Sequence, residues 1–201
     1  MDAAGRRERS AQDPGHLGRD VAMSEITYPD WWKGGRWDIE PLLSDLFTFD
    51  QNPAAVGLTG VRVERMFTEV EGQPEHLAAG GGFLFVHRRS GRLNKTTRQW
   101  TDETITELAA VTASPAQSIE LMGYVTTVLE EFEDGGTVFR STPHPSGLLT
   151  TFMKVPGEVV GPQLIPELIR DERYVPSTWE IHADRPRGLP DYREALGLDS
   201  V

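Results

Sequence analysis

From Val61 to Val70 the chain alternates: Val61, Val63, Arg65 and Phe67 share one parity, and Arg62, Glu64, Met66 and Thr68 the other. That period of two is the pattern of a half-buried strand and puts Arg65 on the buried side, where it needs a carboxylate partner or an anionic ligand. Gly80-Gly81-Gly82 leads into a second strand, Phe83 to Arg89, with Phe83, Phe85 and His87 on one face. Ser90-Gly91 predicts a hairpin turn, with Arg92 to Trp100 as the partner strand. That partner is polar on both faces, with Arg92, Asn94, Thr96, Arg98 and Trp100 on one and Leu93, Lys95, Thr97 and Gln99 on the other. Either a solvated pocket wall or an exposed edge strand guarded by Lys and Arg fits such a pattern. Thr101-Asp102-Glu103 predicts another turn into a strand over Thr104 to Thr112. Turn signals then separate Thr137 to Thr142, Leu148 to Val155 and Ser177 to Ala183.

Helical spacing is rarer. Ile39, Leu42, Leu43 and Leu46 predict a short helix from Asp38 to Phe47, ended by Asp50-Gln51-Asn52-Pro53. Leu164, Ile165, Leu168 and Ile169 predict a second from Pro162 to Tyr174. Ser114 to Glu133 carries two signals. Ser114-Pro115-Ala116-Gln117 has the form of a helical capping box, yet Val125 to Val128 are all β-branched and Ile119, Leu121, Gly123, Val125, Thr127 and Leu129 alternate. We read it as a strand, with a helix as the alternative. The fold class expected is mainly β, an antiparallel β-barrel with one or two short helices; the alternative is an α+β cone-shaped fold with a helix at 115–133.

The chain has 201 residues, 38% hydrophobic and 25% charged, with 20 Gly and 14 Pro suiting a turn-rich fold. Residues 1–22 combine four Arg and four acids with almost no large apolar side chain, and are expected to be a disordered leader. One barrel domain is expected over 23–183 and a surface or mobile tail over 184–201. Three of the five Trp fall between Tyr28 and Trp37, an aromatic plug or first strand. A net charge of -11 disfavours nucleic acid and anionic membranes as partners. No apolar run approaches the ~18 residues that cross a bilayer, and the N-terminus lacks a signal-peptide core, so a soluble cytoplasmic protein is expected.

Gly35-Arg36-Trp37 has the Gly-x-Trp form seen at the first strand of calycins. Gly72-Gln73-Pro74-Glu75-His76, followed by Gly82-Phe83-Leu84-Phe85-Val86, resembles a segment of nitrobindin-like, fatty-acid-binding-protein-like barrels. The resemblance implies a β-barrel with an interior pocket. In nitrobindins that pocket holds haem through a histidine near the C-terminal end; here His182 is the last histidine and its following segment offers none, so no cofactor is expected.

The triple glycine lacks the Lys-Ser/Thr and helix of a phosphate-binding loop, there is no Gly-x-Ser-x-Gly elbow, and the absence of cysteine removes thiolate chemistry and disulfides. His76, His87 and His144 lack the close spacing of a zinc site, and no metal is assigned. Acid-base and electrostatic chemistry remains. His87, Tyr124 and Arg140 are the candidate catalytic residues, and Trp37, Arg65, Phe83, Phe85, Arg98, Trp100 and His144 the candidate ligand-binding ones. The function expected is binding of a mostly apolar small molecule in the barrel, by a chain that is a possible homodimer. The alternative is a cofactor-independent isomerase, cyclase or lyase on the same barrel.

Overall fold

The computed structural model describes residues 27–35, 37–65, 72–94, 101–162 and 173–198. The chain divides into Met1–Asp30, of which only 27–30 are among these, and Trp31–Val201, which holds every element below. The leader expected at 1–22 and most of the helix expected at 162–174 lie outside the described residues.

The protein is mainly β. Among the described residues six strands form one curled, half-barrel sheet in the order β1-β2-β3-β6-β5-β4. They are β1 (Val61–Arg65), β2 (Gly82–Asn94), β3 (Thr101–Val111), β4 (Gly136–Phe139), β5 (Thr150–Val160) and β6 (Val175–Asp184). Neighbours are antiparallel except β1 and β2, which run parallel. A parallel pair needs a crossover connection, and α2 (Gln73–Ala78) lies in this one.

One face of the sheet, the helix face, carries the main core. There α1 (Ile39–Thr48) sets Ile39, Leu42, Leu43, Leu46 and Phe47, and α3 (Pro115–Glu130) sets Leu121, Met122, Val125 and Leu129, over Leu84, Val86, Leu108, Met153, Trp179 and Ile181. Full burial of each such side chain favours folding by about 1.5–3 kcal/mol. Trp179 sends its indole N–H to Ser177 Oγ at 2.8 Å, so its one polar atom is satisfied inside the core.

α1 begins where the sequence predicts, with Asp38 capping the Glu40 N–H. α3 stands where a strand was expected. Ser114 accepts the Gln117 N–H, Pro115 occupies the first turn, and the Ser118 hydroxyl accepts the Thr112 N–H at 3.0 Å. The apparent alternation misleads because its members do not share a face: Ile119 is exposed, while Leu121, Met122, Val125 and Leu129 form a helical stripe against the sheet. Tertiary burial of that stripe outweighs the β-branched residues' preference for strands.

The Ser90-Gly91 turn is also corrected. β2 runs straight through it to Asn94, and β3 already begins at Thr101, so Thr101-Asp102-Glu103 is strand as well. The register slips between Arg88 and Ser90: Arg88 faces Thr106, Ser90 faces Ile105, and Arg89 is the extra residue of a bulge. Gly91 serves close approach instead of a turn, since a Cβ there would lie 2.9 Å from the Glu103 carbonyl oxygen. Arg65 is corrected too. It keeps the face of Val61 and Val63, but at the end of this edge strand it is exposed, and it pairs with Asp38 at 2.9 Å and Glu40 at 3.1 Å at the start of α1.

Candidate interaction surface

The opposite face of the sheet, the open face, has no long helix over it among the described residues. One end is covered by α2 and Tyr174: Leu77 packs with Phe83, Phe85, Ala109 and Val111 in a small second core. Pro74 fits the first turn of α2, and His76 lies edge-on to Phe83 with Nε2 3.1 Å from the Gly60 carbonyl and 3.2 Å from that of Gly82. Beyond this cover, Glu107 is buried, accepts the Tyr174 hydroxyl at 2.9 Å and pairs with Arg89. Burial and the Glu107 charge hold the Tyr174 phenol far above its ordinary range, so it stays a donor.

The bulge at Arg89 shifts parity and turns Arg92 and Asn94 toward the same open face. There Arg92 Nε meets Glu103 at 2.7 Å and the Asn94 amide donates to the other Glu103 oxygen at 2.6 Å. The Asn94 hydrogen bond, with Arg92 beside it, holds the Glu103 carboxyl below its usual range. His182 faces Glu103 across the ladder and pairs with Glu180 at 2.8 Å, and Lys154 lies opposite His182 on β5. The result is a stripe of charged and ionisable side chains crossing β2, β3, β6 and β5. It borders an open cleft of about 380 Å³ lined by Arg92, Glu103, Ile105 and Glu180 among others. At the far side Phe139 and Phe152 are both exposed. Charged side chains beside exposed aromatic residues suit docking on another protein surface.

The predicted site residues scatter. Trp37, Arg140 and His144 do come together, but inside the protein. Arg140 Nε pairs with Asp45 at 2.5 Å and stacks over Trp37 at 4.9 Å, and the His144 ring packs on Trp37 at 4.8 Å. Ser141 also donates to Asp45, at 2.5 Å, and His144 Nδ1 contacts Ser146 Oγ at 2.9 Å. Burial and the nearby Arg140 charge lower the His144 pKa. This cluster fastens the loop after β4 to α1.

Phe83 and Phe85 stack on the open face under α2, with half-buried His87 next along the strand. Tyr124 lies on α3, its hydroxyl donating to the Ala54 carbonyl at 2.5 Å, away from both. Arg98 and Trp100 lie outside the described residues. Among the described residues, no group of three or more His, Asp or Glu is placed to hold a metal, His76, His87 and His144 included. Glu103, Glu180 and His182 were not singled out from the sequence, because the bulge that brings them beside Arg92 reads there as a turn. Between Tyr28 and Trp37, where an aromatic plug or first strand is expected, the described residues form no strand; Trp32 stacks on Tyr192 of α4 (Tyr192–Ala195) at 5.2 Å, and the Tyr192 hydroxyl donates to the Gly34 carbonyl at 2.6 Å.

Residues 35–190 match the phage tail termination protein family. No curated protein matches the chain. The family match overturns the calycin and nitrobindin resemblance, and the structure agrees at Gly35-Arg36-Trp37, which precedes a helix where calycins have their first strand. With it fall the apolar ligand in a barrel and the isomerase, cyclase or lyase alternative. A small-molecule partner gives way to other tail proteins, and a binding or catalytic role to a structural one. With most of its length covered by that match, the chain belongs to the phage tail termination protein family.

Proposed function

We propose that this chain is a structural subunit that ends the growth of a phage tail by docking on the last tail subunit added. The observation that carries the reading is the family match over residues 35–190. The geometry supports it. Ending a polymer requires one face that reads the previous subunit and margins that do not recruit the next. The open face, with its charge stripe from Arg92 to Lys154 and exposed Phe139 and Phe152, supplies the first. No helix among the described residues is long and apolar enough to cross a membrane. On this reading the chain is made and assembled in the host cytoplasm and leaves with the virion.

The test uses tail tubes assembled from the tube protein of the same phage. Gold-labelled chain is expected at one end of each tube under the electron microscope, and tubes bearing it should stop elongating when more tube protein is added. Label spread along the tube walls, or tubes that keep growing beneath it, would overturn the reading.

A further inference from the structure

β4 forms one margin of the sheet, and an unprotected edge there would be open to another molecule. In an antiparallel pair alternate residues turn their N–H and C=O groups away from the partner strand. On the four-residue β4 those are Thr137 and Phe139. An outward-facing backbone pair beside an exposed aromatic side chain invites strand addition from another molecule.

Phe139 does not offer its pair. The Asn52 side chain takes both groups, donating from Nδ2 to the Phe139 carbonyl at 2.8 Å and accepting the Phe139 N–H on Oδ1 at 2.8 Å. Its amide thus stands where the backbone of a neighbouring strand would stand. It is also held there. Asn52 is 1% exposed, Nδ2 donates a second hydrogen bond to the Asp45 carbonyl at 2.9 Å, and its own N–H goes to the Phe49 carbonyl at 2.8 Å. Tyr124, through Ala54, ties the same turn to α3. Further along this margin, Phe132 O takes the Val155 N–H, Pro156 has no N–H to give, and the β5 register slips twice. Proline and bulges are common means of blunting an edge.

We propose that Asn52 is a built-in strand stop: by occupying the outward backbone pair of Phe139 it keeps β4 from pairing with a second copy of this chain. With Phe139 taken, only Thr137 faces outward on β4, too little to seat a strand. The inference deepens the proposed function, since a subunit that ends a polymer gains from margins that nothing can extend, but it is read without tail tubes.

Sedimentation velocity of Asn52→Ala against the unaltered chain at equal concentration is the test. The weight-average mass is expected to rise at least about twofold, and the double variant Asn52→Ala/Phe139→Pro, which lacks the N–H that pairing needs, should return to the mass of the unaltered chain. An unchanged mass in folded Asn52→Ala, or a rise that Phe139→Pro does not reverse, overturns the proposal. Amide exchange on the unaltered chain covers the case of a variant that does not fold. The Phe139 N–H should exchange about tenfold or more slowly than an exposed edge amide, and exchange at the exposed rate would sink the idea. Failure of tube capping with success here would remove the tail role and leave the strand stop standing.

Discussion

Asp45–Arg140 and Glu103–Arg92 are the same chemical pair in opposite surroundings. The first has side chains 9% and 8% exposed, the second 12% and 81%. Inside, Asp45 accepts from both Arg140 and Ser141, and Arg140 lies over Trp37, so each charge is surrounded by partners that α1 and the loop after β4 hold in place. On the open face Arg92 stands in water with its Nε at Glu103. The buried pair fixes where chain segments go, because an uncompensated charge there is costly. The exposed pair contributes little to folding, because water competes for its Arg92 end, and leaves that guanidinium able to meet another surface.

The largest expected effect breaks the buried side of this comparison. Asp45→Ala leaves Arg140 charged and unpaired in the interior and should cost about 3–5 kcal/mol, read as a lowered midpoint in urea unfolding. A loss under ~1 kcal/mol would mean that Arg140 simply swings out to solvent.

Acid separates the two regions next. The folded-state His144 pKa lies below its ordinary value, so the stability it carries is complete above pH ~6.5 and falls as the pH drops toward the folded pKa. Glu103 is depressed as well, so its contribution is complete above ~4.3 and is lost only as pH falls through its lower folded value. Thermal unfolding between pH 7.5 and 5.5 should therefore report the buried cluster, and His144→Gln should flatten that slope. A slope unchanged by the substitution would assign it to other groups.

The smallest effect on folding belongs to Arg92→Ala, which should leave the unfolding midpoint unmoved while weakening tube binding about tenfold, measured by co-sedimentation with tubes. If tube binding is unaffected, the charge stripe is not the docking surface.

Much of the fold is legible in the sequence where pattern and local chemistry agree. Asp38 and the Ile39–Leu46 spacing announce α1, and Val61–Arg65, Phe83–Arg89 and Ser177–Ala183 announce strands that exist. Two errors had local causes. In α3 four β-branched residues argued against a capping box, and the decisive fact, that Leu121, Met122, Val125 and Leu129 meet a sheet, is tertiary. At Ser90-Gly91 a glycine reads as a turn when it is a close approach. The candidate site was less legible. Trp37, Arg140 and His144 were chosen singly, but what joins them is Asp45, 95 residues from Arg140. A docking subunit also needs no nucleophile, ligand set or phosphate loop, so the motifs that advertise enzymes have no counterpart here.

The extra residue at Arg89 works as a phase shift. Up to His87 the odd-numbered side chains of β2 point to the open face, and after the slip the even-numbered ones do, which is how Arg92 and Asn94 arrive opposite Glu103 and Thr101. Deleting this single codon would restore a regular ladder with Ser90 still opposite Ile105 and Arg92 still opposite Glu103, so the outer half of the strand would keep its faces while Glu107 lost the guanidinium it pairs with. A gap here in a homologous sequence should therefore leave the polarity pattern from 90 to 94 unchanged and coincide with the loss of the acid at 107.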